Sequence, residues 1–539
     1  MKHNMCNWQL YVVLDFVDIS SNLIHTLRIV AEEGTAKVAE FTLLPFAGEI
    51  SVSKWIGKPV QIEYVEVDNR TLLFKGVVDE AVYDPTTRLT TFTCTDQLQE
   101  RVEHSNRAEI DALIGGHWSS VVFDAKSDNW TYARNQLTTV PASLDLDKQN
   151  QFRLTSWLAK DQPDFTFTSD DILYQQTSVQ LANRRTLHNQ VNIDIQYRYQ
   201  RLKEREIQYE YTYPLSLCDQ LHQGATMPNT AMIQQAVSGT GWQLKGSIRF
   251  VNQYPGGTVH CNGQQVAFVI SNELQQYLVR DASFALTKRF NQTVTEHYVL
   301  NLEAPQSSSQ IGPILRQEHA SLEVPADVDA FKAGQIMVGS ITDEAGDSVI
   351  EIEDRAALSN LAQTLLHQAK VSILDAHRQN QITFKTILHP HIERHHTVAL
   401  ETFEVKAKGK VRHIIHECDF NQGSSLTTIT IAVSRTDSNE EVNESRLGLP
   451  VRPSGHGSPQ GDRQAVALPR FGGAASSEAF NEDWDGYTGN TQVQPGVTSY
   501  PERFVVPTPE IDEAQAPSDV HTTEHYQINI PNEYLILNA

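Results

Sequence analysis

The chain has 539 residues, 40% of them hydrophobic and 20% charged. That length exceeds what one core supports and points to roughly two to four domains. The formal charge of -23 excludes a broad phosphate-neutralising surface, because such surfaces concentrate Lys and Arg. An acidic wall past which DNA slides without sticking fits this charge, and so does plain solubility.

From the start, Met1-Lys2-His3-Asn4-Met5-Cys6-Asn7-Trp8 runs into a strand-like segment. With no basic region followed by an apolar one, a secretory leader is not expected. No stretch approaches the ~20 apolar residues that span a bilayer. A soluble product of a cytoplasm is expected. Residues 8–100 alternate short apolar runs with turn signals, as in Val60 to Tyr64, Leu72 to Val78 and Leu89 to Cys94, with Asp84-Pro85 setting a turn. This is the pattern of a compact β domain.

Further along, Val191, Ile193, Ile195, Tyr197 and Tyr199 alternate with polar residues, and the same phase resumes at Ile207, Tyr209, Tyr211 and Tyr213. The charged run Arg201 to Glu206 between them predicts a long hairpin with a solvated tip. Its Tyr-rich face is either an interface or the packed side of its own sheet. Leu358, Leu361, Ala362, Leu365, Leu366 and Ala369 follow a helical stripe that predicts a helix over 354–370 behind Glu353-Asp354. Strands return at Ile382, Val398, Val411 and Leu426.

After about residue 440 the texture turns to Pro, Gly, Ser, Asn and Glu, which bury too little apolar area to offset the entropy of ordering. An extended tail is expected. Its last residues recover an apolar pattern at Tyr526, Ile528, Ile530 and Tyr534 to Leu537, predicting that this end adds as a strand to a neighbour.

The chain also repeats itself. Phe74-Lys75-Gly76-Val77-Val78 leads through Asp84 and a turn to Leu89-Thr90-Thr91-Phe92-Thr93-Cys94-Thr95. Ala407-Lys408-Gly409-Lys410-Val411 leads through Asp419 and a turn to Leu426-Thr427-Thr428-Ile429-Thr430-Ile431-Ala432. Each is a Gly-entered strand, an Asp-started turn and a Leu-Thr-Thr-x-Thr strand. Duplication explains this, although Thr-rich alternation is common among strands. With two copies per chain, three chains around an axis present six.

With these hairpins, Leu27-Arg28-Ile29, Ala39-Glu40-Phe41, Trp55 to Val60, Cys94-Thr95-Asp96, Leu113 to Trp118 and His416 to Ser434, the chain resembles the hub proteins of phage tail tips and baseplates, related to tail protein D and to the base of type VI secretion spikes. The likeness covers residues 20–120 and 355–435. It implies two tail-tube-like β-barrel domains per chain, a homotrimer, and contacts with the tail tube or distal tail protein, the tape measure protein and a central spike or fibre protein. The genome then passes through the lumen without specific nucleic-acid binding, no membrane is engaged in the mature virion, and assembly takes place in the host bacterial cytoplasm. Some relatives carry a spike or lytic domain, for which this chain has no room outside its tail. Others hold an iron–sulfur cluster, which the scattered Cys6, Cys94, Cys218, Cys261 and Cys418 do not support.

Chemistry is sparse. His389-Pro390-His391-Ile392-Glu393-Arg394-His395-His396 is rich in ligand types but matches neither H-E-x-x-H nor H-x-x-E-H, and reads as a loop between strands. His413 and His416, three apart on a strand, face opposite ways. There is no nucleophile elbow, and Pro255-Gly256-Gly257 lacks phosphate-loop spacing. No residue is assigned to catalysis, a cofactor or a metal, and no enzymatic activity is expected. Two alternatives remain: a tail-borne wall hydrolase using His391, Glu393 and His395, and a host-surface-binding component using Tyr197 to Tyr213.

The expected fold is mainly β with a few helices: two tail-tube-like β-barrel domains, an inserted α+β/β region and an extended C-terminal tail. The boundaries read as 1–104 for the first tube-like domain, 105–300 for an inserted accessory region with a long β-hairpin, 301–440 for the second tube-like domain with helix 354–370, and 441–539 for the tail.

Overall fold

The computed structural model describes residues 8–44, 54–66, 69–212, 230–253, 257–261, 264–268, 279–339, 341–343, 346–436, 438, 442–453, 470–472, 485–489, 503–508, 511 and 517–538. The opening segment with Cys6, the Cys218 region, Tyr213, Pro255-Gly256 and most of the Pro-rich tail lie outside these. The protein is mainly β, 47% strand and 18% helix, with a half-barrel sheet.

The first module uses Trp8–Leu14 (β1), Leu23–Glu32 (β2), Val38–Leu43 (β3), Pro59–Glu66 (β4), Asn69–Tyr83 (β5) and Thr90–Thr95 (β6). They lie in the order β2-β3-β6-β5-β4-β1. Period-two alternation builds them: in β6, Thr90, Phe92 and Cys94 are buried while the Thr residues between them are half-exposed. Val12, Leu27, Phe41, Ile62, Phe74 and Phe92 form the core, each burial stabilising by about 1.5–3 kcal/mol. Leu98–His104 (α1), Arg107–Ile114 (α2) and Asn129–Leu137 (α3) follow and close a satellite core with Leu144 and Leu146. A reciprocal cap fixes the start of α2: Asn106 Oδ1 accepts from Glu109 N at 2.9 Å, and Glu109 Oε2 from Asn106 N at 3.1 Å.

A second module begins with Phe165–Thr168 (β7) and Ser178–Gln180 (β8). The chain then leaves for Gln190–Thr212 (β9), Val279–Glu303 (β10), Leu315–Glu323 (β11) and Arg355–His377 (α4). It returns as Asn380–Ile387 (β12), Thr397–Glu401 (β13), Val405–Asp419 (β14) and Ser424–Val433 (β15). Here the order is β8-β12-β15-β14-β13-β7, and β14 joins β2, so both modules share one fourteen-stranded sheet.

The inserted sheet corrects the hairpin expectation. β9 is a single strand, paired antiparallel with β10 from Gln190↔Glu303 to Thr212↔Asp281, and β11 runs parallel on its other edge. Arg201 to Glu206 is therefore no tip. Arg201, Lys203 and Glu204 are buried because each has an opposite charge: Arg201 with Glu351 at 2.6 Å, Lys203 with Asp343 at 2.8 Å and Glu204 with Arg289 at 2.6 Å. Pairing, which composition does not reveal, lets a charged run continue a strand. Val191, Ile193, Ile195, Tyr197 and Tyr199 pack on the stripe of α4. That helix runs seven residues past the predicted end at 370, and Asp354 Oδ1 caps its start by accepting from Ala357 N at 2.9 Å.

The C-terminal end adds as strands, but to its own chain. Ser518–Gln527 (β16) lies parallel to β10, and Leu535–Leu537 (β17) lies antiparallel to β14. Between them Ile528 and Ile530 enter the core of the inserted sheet, and Glu533 accepts from Ser434 N at 2.8 Å and Ala159 N at 3.0 Å. The tail thus ties the inserted sheet to the large one.

Candidate assembly surface

The two modules agree in register. Gly76 lies opposite Val60 of β4, and Gly409 opposite Val398 of β13. A Cβ at Gly76 would collide with the Thr95 carbonyl oxygen, and one at Gly409 with that of Ala432, so both positions demand glycine for close backbone approach. Three residues on, each strand bulges: β5 slips at Asp79 against β6, and β14 at Arg412 against β15. Beyond the bulges Glu80 opposes Thr93 and His413 opposes Thr430, which aligns Leu89 to Thr95 with Leu426 to Ala432 as their sequences do. The starting Asp is also kept: Asp84 Oδ1 accepts from Thr86 N at 2.8 Å, and Asp419 Oδ1 from Asn421 N at 2.8 Å.

The match extends outward. Ile29 opposes Ala39 in the first module, and Val179 opposes Ile382 in the second, which makes β8 the counterpart of β2. The bridge Ile172↔Thr386 repeats Leu23↔Leu43. Val78 N donates to Lys58 O at 2.9 Å, and Val411 N to His396 O at 3.1 Å. One strand differs in direction: β1 is antiparallel to β4, whereas β7 is parallel to β13.

Where the modules meet, β14 pairs with β2 from His413↔Glu32 to Asp419↔Thr26. Buried ion pairs brace this seam. Arg378 meets Glu33 at 3.2 Å, both nearly inaccessible. Arg394 reaches Asp145 at 3.0 Å and donates to the carbonyls of Glu32 at 2.8 Å and Thr35 at 2.9 Å. Arg28 and Glu417 form a partly exposed pair at 3.7 Å. His416 is buried with Nδ1 at 2.9 Å from Thr427 Oγ1. Burial, reinforced by Lys37 and Lys148, depresses its pKa to about 3. Burial also pushes the Cys418 thiol up to about 12, leaving it inert at neutral pH.

The His389–His396 segment is the loop between β12 and β13, as predicted. It borders a cavity of about 30 Å³, with room for about one water. Glu393 is flanked by Lys148 at 3.6 Å and Arg153 at 3.7 Å. His395 Nδ1 accepts from Arg153 at 2.8 Å, and His396 Nδ1 accepts from Glu393 N at 2.9 Å. Burial and the neighbouring His396 lower the pKa of His395 to about 4. His389 and His396 both pack edge-on to Phe165. Among the described residues no three His, Cys, Asp or Glu side chains converge as metal ligands.

The Tyr face resolves to the packed alternative. Tyr197, Tyr199 and Tyr209 are at most 1% exposed. Arg355 stands over Tyr197 at 5.1 Å and Tyr199 at 5.5 Å while its Nη2 donates to buried Glu296 at 2.7 Å. Arg452 of the tail donates to Tyr199 Oη at 2.9 Å and Glu351 at 3.0 Å. These three rings hold the insert together, while the side chains of Tyr211 and Tyr213 lie outside the described residues.

No family model matches the sequence, and no curated protein matches it. Solved structures do. A tail protein from Neisseria meningitidis MC58 is 8% identical with a TM-score of 0.40, over 79% of this chain and 96% of its own. The chain is similar to phage tail proteins. The 43 kDa tail protein of prophage MuSo2 from Shewanella oneidensis is 8% identical with a TM-score of 0.36, over 78% of this chain and 98% of its own. A prophage tail protein from Listeria monocytogenes EGD-e is 7% identical with a TM-score of 0.33, over 80% and 95%. Among the described residues no helix is long and apolar enough to cross a membrane.

Sequence reading missed β8 and the seam arginines. Three residues, Ser178-Val179-Gln180, are too few for alternation to show. Arg378 and Arg394 look like surface charges until their buried carboxylate partners are known. The whole inserted sheet separates β8 from β12 in the chain, so only the pairing of Val179 with Ile382 reveals its place.

Proposed function

We propose that this chain is the structural hub of a phage tail tip or baseplate: a homotrimeric ring that joins the hexameric tail tube or distal tail protein, and the tape measure protein, to a central spike or fibre. The single observation that carries this reading is the register match of the two modules across one sheet, down to Gly76 and Gly409 and the bulges at Asp79 and Arg412. Two equivalent modules per chain let three chains present six positions to a six-fold tube. The sequence resemblance to hub proteins supports the same role, and the net charge of -23 suits a lumen that releases DNA. In this reading residues 8–95 form one tube-like domain, 165–180 with 380–433 form the other, and the rest braces them. The role is structural, within the virion at its tail tip or baseplate, after assembly in the host bacterial cytoplasm.

The test is gold-labelled antibody against the chain, applied to virions and viewed by electron microscopy. Label at the tail end farthest from the head is expected. Label on the head or along the tube overturns the assignment.

A further inference from the structure

The seam encloses a charge that the fold leaves unanswered. The cavity of about 30 Å³ beside the His389–His396 loop lies between the modules: Ile29, Ala31 and Leu73 wall it from the first, and Ile392, Ile414 and His416 from the second. The hairpin of Ala142–Leu146 and Phe152–Ser156 closes a third side. Apolar walls keep the local dielectric low, which strengthens every charge interaction inside.

Four cations, Lys37, Lys148, Arg153 and Arg394, and three carboxylates line this space. Each carboxylate is already engaged. Asp145 meets Arg394 at 3.0 Å and accepts from Ser143 Oγ at 3.0 Å. Glu393 lies between Lys148 at 3.6 Å and Arg153 at 3.7 Å, and Asp147 Oδ1 accepts from Gln149 N at 2.9 Å and Gln151 N at 2.8 Å. Lys37 is the cation left over: its ammonium makes no ion pair or hydrogen bond with any described residue. Burial, with Arg394 and Lys148 adding to it, lowers its pKa to about 8 against the pull of Asp96 and Glu393. His416, neutral at neutral pH, supplies no counter-charge. A hydroxyl is unanswered as well. Thr155 lines the same cavity at 3% exposure, and its Oγ1 has no hydrogen-bond partner among the described residues. Leaving such a group unpaired costs about 1–3 kcal/mol.

We propose that this cavity binds one small monovalent anion of the chloride class, which accepts from Lys37 and Thr155 and braces the seam between the modules. A water molecule would satisfy the hydroxyl but leave the lysine charge without a counter-ion in a low-dielectric space. Phosphate and sulfate do not fit a space for about one water, and Asp145 and Glu393 repel a second negative charge. Because the walls come from both modules, an ion bound here stabilises their junction by mass action. The site stands independently of the hub reading.

The experiment is a thermal melt of the full chain at neutral pH and constant ionic strength, with gluconate replaced stepwise by chloride. The melting temperature is expected to rise with chloride and level off, and bromide is expected to act in its place. Lys37→Met, which keeps an apolar stem, should remove this response and melt no lower than the wild type in gluconate alone. Thr155→Val, which drops only the hydroxyl, should raise the half-saturating chloride concentration by about tenfold. Equal chloride responses in the wild type and Lys37→Met, or a wild type indifferent to chloride, overturn the site. Should Lys37→Met misfold, chloride NMR on the native chain decides: line broadening that bromide competes away supports the site, and a line as narrow as in buffer overturns it.

Discussion

The first module is written in one stretch, residues 8–95, whereas the second is interrupted after β8 and resumes at β12. Their cores differ as well: Phe41 stacks on Phe92 at 5.4 Å in one, while Phe384 opposes Ile429 in the other. Kept in both are a glycine under a carbonyl, a one-residue bulge and an Asp turn. Core side chains exchange when volume is preserved, but a close backbone approach tolerates no substitute. The shared positions are therefore the ones that set the backbone path of β5 and β14.

The largest expected effect breaks the comparison on one side only. Arg394→Met leaves Asp145 buried without its cation and removes one donor from each of the Glu32, Thr35 and Leu146 carbonyls. A loss of about 3–5 kcal/mol is expected, read by denaturant unfolding. Next, Gly76→Ala and Gly409→Ala should each cost about 3 kcal/mol. Similar losses sharpen the equivalence of the modules, and a thermal melt in which one substitution is neutral breaks it.

Acid should also separate them. The folded pKa of His416, depressed by burial to about 3, lies below its ordinary value of 6.5, so the unfolded chain binds more protons between the two. Stability contributed here is complete above about pH 6.5 and falls as pH drops toward 3. The equivalent position on β5 holds Tyr83 and no histidine. His416→Asn should flatten the acid limb of the stability profile, and an unchanged limb would place the sensitivity elsewhere. The smallest effect is at the seam surface. A double-mutant cycle on Arg28→Ala and Glu417→Ala should return about 0.2–1 kcal/mol, because water screens a partly exposed pair.

Much of this was legible in sequence where periodicity is strong. The hairpins at Lys75–Thr95 and Lys408–Ala432, the apolar stripe of α4 and the loop at His389–His396 lie where the pattern puts them. The run Arg201 to Glu206 was misread because a charge reveals nothing of its partner, and Asp343, Glu351 and Arg289 lie far along the chain. The C-terminal strands were read correctly as strands, but their acceptors, β10 and β14, are facts of topology. The same holds for β8, whose meaning comes from which strand it pairs with and not from its three residues.

End-on electron micrographs of the purified chain test the central claim most directly. Two equivalent modules per chain predict a ring of three chains, with six-fold density in the layer of the large sheet and three-fold density where the inserted sheet lies. A single-chain particle, or a ring whose sheet layer is plainly three-fold, would contradict it.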